Sequence, residues 1–171
     1  QAESRAVAYL AQDLDYIAAC ESEDLHTTVA RMVWPTLDWT GDIRLDREIA
    51  NGSAYRHFSY RDLSKRGGHG SNYYGKPFTM AKHLKIPTHQ MAEFQASYFE
   101  AFPGISRWHR STQQLLQNTA TITTPLGRRR LFFGRTRDDT TLREAIAFEP
   151  QSTVADILNL ALLILWNHHG P

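Results

Sequence analysis

The sequence predicts a mainly α-helical fold with one small β-hairpin near residues 119–133. Apolar residues recur at spacings of three and four along most of the chain, which is the period of an amphipathic helix. Prolines at positions 35, 77 and 103 end predicted helices, because the residue before a proline is disfavoured in the helical conformation. Only the stretch from Thr119 to Phe133 has two short strand-like runs on either side of a Pro-Leu-Gly turn, which favours a hairpin.

The first half of the chain alternates predicted helices with one irregular stretch. Residues 2–19 and His26 to Val33 have helical periodicity, whereas Thr36 to Ser53 alternates weakly and contains two glycines, which predicts a long loop or a small hairpin. Helical periodicity resumes at Tyr60 and ends at Lys76, although three interior glycines each cost about 1 kcal/mol relative to alanine.

The second half is predicted to be helical apart from the hairpin. Thr88 is expected to cap a helix that ends at Pro103, and further helices are expected over residues 105–117, 140–147 and 152–166. The residues expected to face the core in these helices are Met91, Phe94, Tyr98, Phe102, Ile105, Trp108, Leu115, Val154, Ile157, Leu158, Ala161 and Leu165.

The composition indicates a single globular domain, since 42% of the 171 residues are hydrophobic and 22% are charged. The net charge of +1 does not indicate a polyanionic partner, but basic residues cluster from Arg61 to Arg66 and from Arg128 to Arg130. The single cysteine, Cys20, excludes an internal disulfide and a cysteine-based zinc site and favours an intracellular setting. The apolar run from Ile157 to Trp166 is too short to cross a bilayer, so we expect a core helix and no membrane contact.

Four side chains recur at every fourth residue on the helix that begins at Tyr60, and these are Arg61, Lys65, His69 and Tyr73. Four residues turn a helix through about 400°, so the side chains form a slowly winding stripe about 18 Å long. Arginine suits a terminal phosphate through its paired donors, and lysine supplies a compact charge to an inner one. Charge followed by rings is the order that a nucleoside triphosphate presents, and the stripe therefore favours a triphosphate site.

The same helix is compatible with two other interpretations. Residues at this spacing also occur on an ordinary solvated face of a helix. The segment Lys65-Arg66-Gly67-Gly68-His69-Gly70 is also compatible with a glycine-rich phosphate loop, although it lacks the Gly-x-x-x-x-Gly-Lys-Ser/Thr pattern of a P-loop.

The motif Arg61-x-x-x-Lys65-x-x-x-His69-Gly70-x-x-Tyr73 resembles the fingers helix of the family A DNA polymerases, the bacterial polymerase I group. Further landmarks resemble the family's motifs and follow in the same order along nearly the whole chain. They are Gln1-Ala2-Glu3-Ser4-Arg5, Asp24-Leu25-His26-Thr27, Tyr98-Phe99 with Phe102-Pro103, Thr124-Pro125-Leu126-Gly127-Arg128-Arg129-Arg130, and Arg143 followed by Gln151-Ser152-Thr153-Val154-Ala155-Asp156. The resemblance implies a palm-edge helix over residues 1–20, a helical fingers subdomain over 21–140 and a return to the palm over 141–171.

The resemblance implies a set of residues that bind the incoming deoxynucleoside triphosphate (dNTP). Arg61 and Lys65 are expected on its phosphates, and His26 is expected near the β-phosphate. Glu3 is expected beneath the sugar, where it disfavours a 2′-hydroxyl, and Tyr73 is expected to pair with Glu3 and stack near the templating base. The full set is Glu3, His26, Arg61, Lys65, His69 and Tyr73.

Primer–template DNA is expected to contact Arg143, Gln151 and Tyr73. An internal salt bridge is the alternative role for Arg143, and an ordinary core or surface position is the alternative for His26. The resemblance thus implies that the protein, as a complete polymerase, adds a deoxynucleotide to a primer opposite a template base.

The resemblance also implies chemistry that this chain does not complete. Members of the family transfer a nucleotide with two metal ions, expected to be Mg²⁺, which palm aspartates hold. The resemblance implies that the first of those aspartates lies three residues before Gln1 and the second in a His-Asp-Glu segment after Pro171, and both ends look cut from a longer protein. The chain is therefore expected to contain no catalytic residue and no metal ligand, and to bind but not polymerise without the rest of the palm and the thumb. A cytoplasmic location in a bacterial cell, with a bacterial or phage gene, is expected.

Three positions and one segment depart from the family's pattern. His69 replaces a phenylalanine or tyrosine, Ala147 a frequent asparagine and Tyr74 a glycine, while residues 34–53 form a longer connection with no assigned role. One rival hypothesis is a non-catalytic nucleic-acid-binding helical module, whose DNA binding would fall steeply with salt. Another is a stand-alone phosphotransferase, for which Asp138-Asp139 is the nearest candidate metal site.

Overall fold

A computed structural model describes residues 1–169, except for the side chain of His169. Within this range the helices are α1 (Ala2–Leu10), α2 (Leu14–Glu21), α3 (Leu25–Val33), α4 (Ile43–Ala50), α5 (Tyr60–Asn72), α6 (Pro77–Leu84), α7 (Thr88–Ala101), α8 (Pro103–Thr119) and α9 (Asp139–His169). The strands form two antiparallel hairpins, β1 (Ser53–Tyr55) with β2 (Phe58–Ser59) and β3 (Thr121–Thr123) with β4 (Arg129–Leu131). The predicted mainly α-helical fold with a hairpin near residues 119–133 is confirmed. The chain divides into two compact units, one from Glu3 to Arg107 and one from Trp108 onward.

The first helix is shorter than predicted, because the stretch over residues 2–19 breaks into α1 and α2. Gln12 has a φ of 49°, in the left-handed region, and interrupts the helical path. The buried carboxylate of Asp13 then caps α2 by accepting a hydrogen bond from the Tyr16 backbone N–H at 2.9 Å. Its other oxygen accepts from the Gly104 N–H at 2.6 Å, so the break also joins the start of α8 to the first two helices.

The stretch from Thr36 to Ser53 contains a helix that the sequence pattern did not predict. Asp42 caps α4 by accepting from the Arg44 backbone N–H at 2.8 Å. Only Asp46 and Ala50 of this helix are buried, and the helix is only eight residues long. The predicted loop is therefore wrong for residues 43–50, and the short hairpin β1–β2 follows α4 as a second sheet.

Helix α5 packs tightly in the first unit through its glycines. A Cβ atom at Gly67 would overlap the ring of Phe94 on α7, and one at Gly68 would lie 3.2 Å from Cε2 of Tyr98. The glycines that weaken the helix by itself are thus what lets α5 lie against α7. Helix α5 ends at Asn72, four residues before the predicted end.

Helix α7 confirms the predicted core face and corrects the predicted cap. Met91, Phe94, Tyr98 and Phe102 are all buried. Thr88 does not cap this helix, because Pro87 occupies the capping position and Thr88 is already the first helical residue. Helix α6, between Pro77 and Leu84, had no predicted counterpart.

The second unit contains the predicted hairpin and one long helix. Strands β3 and β4 pair Thr121 with Leu131 and Thr123 with Arg129, which confirms the hairpin. Helix α9 is continuous through Pro150, so the two separate helices predicted over 140–147 and 152–166 are wrong.

Several apolar residues of α8 and α9 lie on the surface instead of in the core. Ile105 and Trp108 of α8 are buried as predicted, whereas Leu115 is 45% exposed and its neighbour Leu116 is buried instead. Ile157, Leu158 and Leu165 are helical as predicted but 55–58% exposed, so their predicted place in the core is wrong. In the part of the chain that the structure describes, no helix is long and apolar enough to span a membrane.

Candidate functional site

The two sides of helix α5 differ in burial. Its inward side consists of residues that are buried, namely Leu63, Ser64, Gly67, Gly68, Ser71 and Asn72. On the other side Lys65 and His69 are exposed, and the side chain of Arg61 is 32% exposed. Tyr73 lies one residue past the last helical residue and is half-buried. The predicted stripe is therefore present on the surface, with Tyr73 at the helix end.

Arg61 is anchored by Asp24, a residue to which the sequence pattern gave no separate role. The Nε and Nη2 atoms of Arg61 donate to the two carboxylate oxygens of Asp24 at 3.1 and 3.2 Å. Asp24 is buried and also caps α3, since its side chain accepts from the His26 and Thr27 backbone N–H groups. A bidentate contact of this kind fixes the plane of the guanidinium group.

Asp24 remains ionised in spite of its burial. Burial by itself raises the pKa of a carboxyl group, but the hydrogen bonds and charge of Arg61, with the hydrogen bonds of Thr27, lower the pKa of Asp24 to about 2. A second arginine, Arg47 of α4, donates from Nε to Asp24 Oδ2 at 2.8 Å. One carboxylate therefore holds two guanidinium groups from different helices.

His26 lies near the positive end of the stripe and is half-buried. Burial is the main cause that lowers the pKa of His26 below its ordinary 6.5, and the charges of Arg61 and Lys65 lower it further. The structure thus brings His26, Arg61 and Lys65 together. Because the imidazole is neutral at pH 7, it has one N–H donor and one acceptor nitrogen.

A second group of predicted residues meets at the other end of α5. Tyr73 Oη donates to Glu3 Oε2 at 2.5 Å, so the expected pairing of Tyr73 with Glu3 is present. The ring of His69 stands edge-on to that of Tyr73 at a centroid distance of 4.9 Å. The site therefore has a basic end and an end formed by two rings and a carboxylate.

Buried polar contacts hold the end of α5 in place. Asn72 Nδ2 donates to Tyr16 Oη, and Tyr98 Oη donates to Asn72 Oδ1, both at 2.8 Å. Gln95 Nε2 donates to the Gly75 carbonyl at 2.8 Å, which ties the loop after Tyr73 to α7. These bonds join α5 to α2 and α7 immediately beside Tyr73.

Tyr74 occupies a backbone conformation that glycine adopts most easily. Its φ is 60°, in the left-handed region, where a side chain costs about 1–2 kcal/mol. Lys76 Nζ lies 4.1 Å from the centroid of the Tyr74 ring, at a distance where a cation and a ring attract each other. A tyrosine at position 74, where the resemblance implies a glycine, is therefore compatible with a helix α5 that ends at Asn72.

Arg143 and Gln151 lie on α9, in the second compact unit. Arg143 donates from Nε to the Asp139 carbonyl at 3.3 Å and from Nη2 to Thr140 Oγ1 at 3.5 Å, and Gln151 is exposed. Their expected contacts with DNA stay predictions.

The hairpin arginines bind acidic residues of the same unit. Arg128 binds Asp156 with Nε–oxygen distances of 3.0 and 3.1 Å, and Arg130 Nη2 donates to Glu144 at 2.9 Å. Asp138, the nearest candidate of the rival phosphotransferase, accepts from the Thr140 backbone N–H at the start of α9. The side chains that the structure describes include no group of three or more His, Cys, Asp or Glu that could hold a metal ion.

The chain is similar in sequence and in structure to known DNA polymerases. The family model described as DNA polymerase family A matches residues 1–169. DNA polymerase I of Bacillus caldotenax is 28% identical over an alignment of 171 positions. The match covers 96% of this chain and 18% of the relative. The POL domain of Pol1 from M. smegmatis, solved in complex with DNA primer-template and dNTP, is 26% identical with a TM-score of 0.75. That match covers 94% of this chain and 27% of the solved chain, so this chain spans less than a third of either protein.

Proposed function

This chain belongs to DNA polymerase family A, and we propose that it is the part of a DNA-directed DNA polymerase that binds the incoming dNTP. The observation that carries the proposal is the arrangement along α5. Arg61 and Lys65 lie beside a neutral His26 at one end, and Tyr73, His69 and Glu3 meet at the other.

The basic end is suited to the triphosphate. Asp24 holds the Arg61 guanidinium in a fixed plane, from which it can donate to a terminal phosphate in two parallel bonds. The exposed ammonium of Lys65 lies one helical turn further along and suits an inner phosphate. The neutral imidazole of His26 donates its one N–H to a phosphate oxygen, and the negative charge of the phosphate raises the pKa of His26.

The other end is suited to the sugar and base. The hydrogen bond from Tyr73 fixes the Glu3 carboxylate, and we propose that Glu3 lies under the sugar and disfavours a 2′-hydroxyl. Tyr73 and His69 present planar rings on which a sugar or base can stack. An imidazole at position 69 offers a stacking partner less apolar area than the usual phenylalanine or tyrosine.

The remaining parts of the polymerase follow from the same proposal. Residues 1–20 and 141–171 form the edges of the palm and residues 21–140 the fingers, with Arg143, Gln151 and Tyr73 on the primer–template DNA. The family uses divalent metal ions, which we propose to be Mg²⁺, to activate the primer hydroxyl and neutralise the leaving pyrophosphate. We propose that palm aspartates outside these residues hold the ions, as the family's motifs imply, and that the thumb completes the enzyme. We place the enzyme in the cytoplasm of a bacterial cell, encoded by the cell or by a phage.

Nucleotide binding by the 171-residue chain tests the proposal. We expect Lys65→Ala to weaken dNTP binding by about 10- to 100-fold, because it removes a charge-assisted hydrogen bond to phosphate. Arg66→Ala is the matched control, since Arg66 is exposed next to Lys65 but stacks on the ring of Phe58 away from the stripe. Isothermal titration calorimetry with each of the four dNTPs measures both variants.

Incorporation kinetics in the complete polymerase extend this test. Arg61→Ala and Lys65→Ala should each raise the dNTP KM or lower kcat strongly. Near-normal nucleotide kinetics in both variants would contradict the assignment. The alternative, a non-catalytic nucleic-acid-binding helical module, predicts DNA binding that falls steeply with salt and no response to nucleotide, and the same titrations distinguish it.

A further inference from the structure

Helix α4 is fixed to α3 by a buried carboxylate. Asp46 Oδ1 accepts from the Thr40 backbone N–H at 2.7 Å and from Thr40 Oγ1 at 2.9 Å. Its other oxygen accepts from Arg31 Nη1 of α3 at 3.4 Å. Asp46 is 1% exposed, and these bonds lower its pKa against the opposing effect of burial. The Asp46 contacts therefore fix α4 within the 34–53 connection. They also fix the position of Arg47, the residue that follows Asp46 on this helix.

Arg47 reaches the same carboxylate oxygen as Arg61. Its Nε lies 2.8 Å from Asp24 Oδ2, and Arg61 Nε lies 3.1 Å from that oxygen. The two guanidinium groups are therefore neighbours that share one negative charge. Because Lys65 is also close by and His26 is neutral at pH 7, this end of α5 has a surplus of positive charge.

Arg47 is not required to satisfy Asp24. That carboxylate already accepts two bonds from Arg61, one from the Thr27 hydroxyl and two from backbone N–H groups. The Arg47 side chain is 51% exposed, and an ion pair of this exposure contributes little to stability. Among the hydrogen bonds of the described residues, Arg47 uses only Nε for Asp24, which leaves its terminal Nη donors toward solvent.

We propose that Arg47 is a third cationic residue of the triphosphate site, and that it binds the terminal phosphate together with Arg61. Asp24 is the positioning residue that holds both guanidinium groups. The terminal phosphate is the one concerned because Arg47 adjoins Arg61, at the start of the stripe, and not the ring end near Tyr73. This inference rests on the proposed dNTP site and gives the 34–53 connection a function.

The affinities of a dNTP and of the matching dNDP test the role of Arg47 in the 171-residue chain. Arg47→Ala should weaken dNTP binding by about 10- to 100-fold, the effect of losing one charge-assisted hydrogen bond, and change dNDP binding much less. The preference for triphosphate over diphosphate therefore falls, a result that a purely structural role of Arg47 would not produce. Arg44→Ala is the matched control, because Arg44 is an exposed arginine on the same helix.

Each outcome of this titration has a defined meaning. An unchanged preference for dNTP over dNDP in a folded Arg47→Ala protein overturns the inference, as does an equal loss in Arg44→Ala, which would indicate diffuse charge. If Arg47→Ala unfolds at the assay temperature, Arg47→Gln, which keeps much of the side-chain length without the charge, is measured by the same ratio. Lys65→Ala separates the two proposals. If it leaves dNTP binding intact, the proposed dNTP site fails and this inference with it; if only Arg47→Ala is silent, the site stands and this inference fails.

Discussion

Asp24 joins two tasks at the residue scale, since it caps α3 and orients arginines from α4 and α5. The cap could be read from an aspartate that precedes a helical run, but the arginine contacts join residues 23 and 37 positions apart. A short-range pattern contains no information on such contacts. The stripe of α5 was predictable because its members share one helix, whereas Asp24 and Arg47 become visible only when three helices are packed.

The ionisation of Asp24 leads to a pH-dependent stability. Because its folded-state pKa, about 2, is below the ordinary 3.8, its stabilisation is complete above pH 3.8 and is lost as the pH falls through 2. Asp24→Asn keeps a capping side chain but removes the charge, and we expect it to lower the free energy of unfolding at pH 7 by about 2 kcal/mol. The gap to the wild type should close between pH 4 and 2 in urea denaturation curves. Curves that stay parallel over this range would show that the ion pair does not stabilise the fold.

At the scale of elements, the glycines of α5 show how packing overrides helix propensity. Gly67 and Gly68 are unfavourable in an isolated helix, yet Phe94 and Tyr98 lie where their side chains would be. Helix propensity counts only the cost of glycine in an isolated helix and not the space that its missing side chain leaves for Phe94 and Tyr98. It therefore misjudges these glycines in the folded protein.

Gly67→Ala should therefore destabilise the protein although alanine favours helix. Its Cβ would overlap the buried Phe94 ring, and overpacking of this kind costs about 1–3 kcal/mol. Gly68→Ala is the comparison, because its Cβ would lie 3.2 Å from Tyr98 and requires a smaller adjustment. Thermal denaturation should give a clearly lower Tm for Gly67→Ala than for Gly68→Ala. Equal Tm values for both variants and the wild type would refute the packing argument.

The elements that the sequence pattern missed have physical reasons in common. Helix α4 is only eight residues long, so its period does not stand out in the sequence, and Arg31 of α3 binds its buried Asp46. Asp13 breaks the first helix through a contact with Gly104 from far along the chain. Pro150 predicts a helix end, but it is buried within a continuous α9. In each case tertiary contacts decide an outcome that local propensity leaves open or favours otherwise.

At the scale of the whole molecule, the far part of α9 presents apolar side chains to solvent. Leu160, Leu162, Leu163, Ile164 and Trp166 are between 50% and 67% exposed. The run from Ile157 to Trp166 was predicted to be a core helix because its apolar composition suits burial. The sequence pattern does not show which surface would cover it. A contiguous apolar surface of this kind is unusual for a protein that acts alone, in keeping with the proposed place of residues 141–171 at the palm.

This exposed surface predicts strong binding of an apolar dye. We expect the 171-residue chain to raise the fluorescence of anilinonaphthalene sulfonate while folded. Leu162→Glu with Leu165→Glu should lower that signal, because they replace two of the eight exposed large apolar side chains between Ile157 and Trp166. Leu14→Glu is the control, because Leu14 is 81% exposed but lies on α2 of the other unit. A dye signal that Leu14→Glu reduces as much as the double variant would locate the apolar surface elsewhere.

The division of α5 into a buried and an outward side also bears on how such a chain can evolve. The Phe94 ring occupies the space that a side chain at position 67 would need, so few substitutions are tolerated there on the inward side. His69 is exposed, and exchange between imidazole, phenol and phenyl rings there needs no compensating change in the core. If His69 contacts the nucleotide as proposed, single substitutions at position 69 would alter that contact without disturbing the Asp24 carboxylate that anchors Arg61.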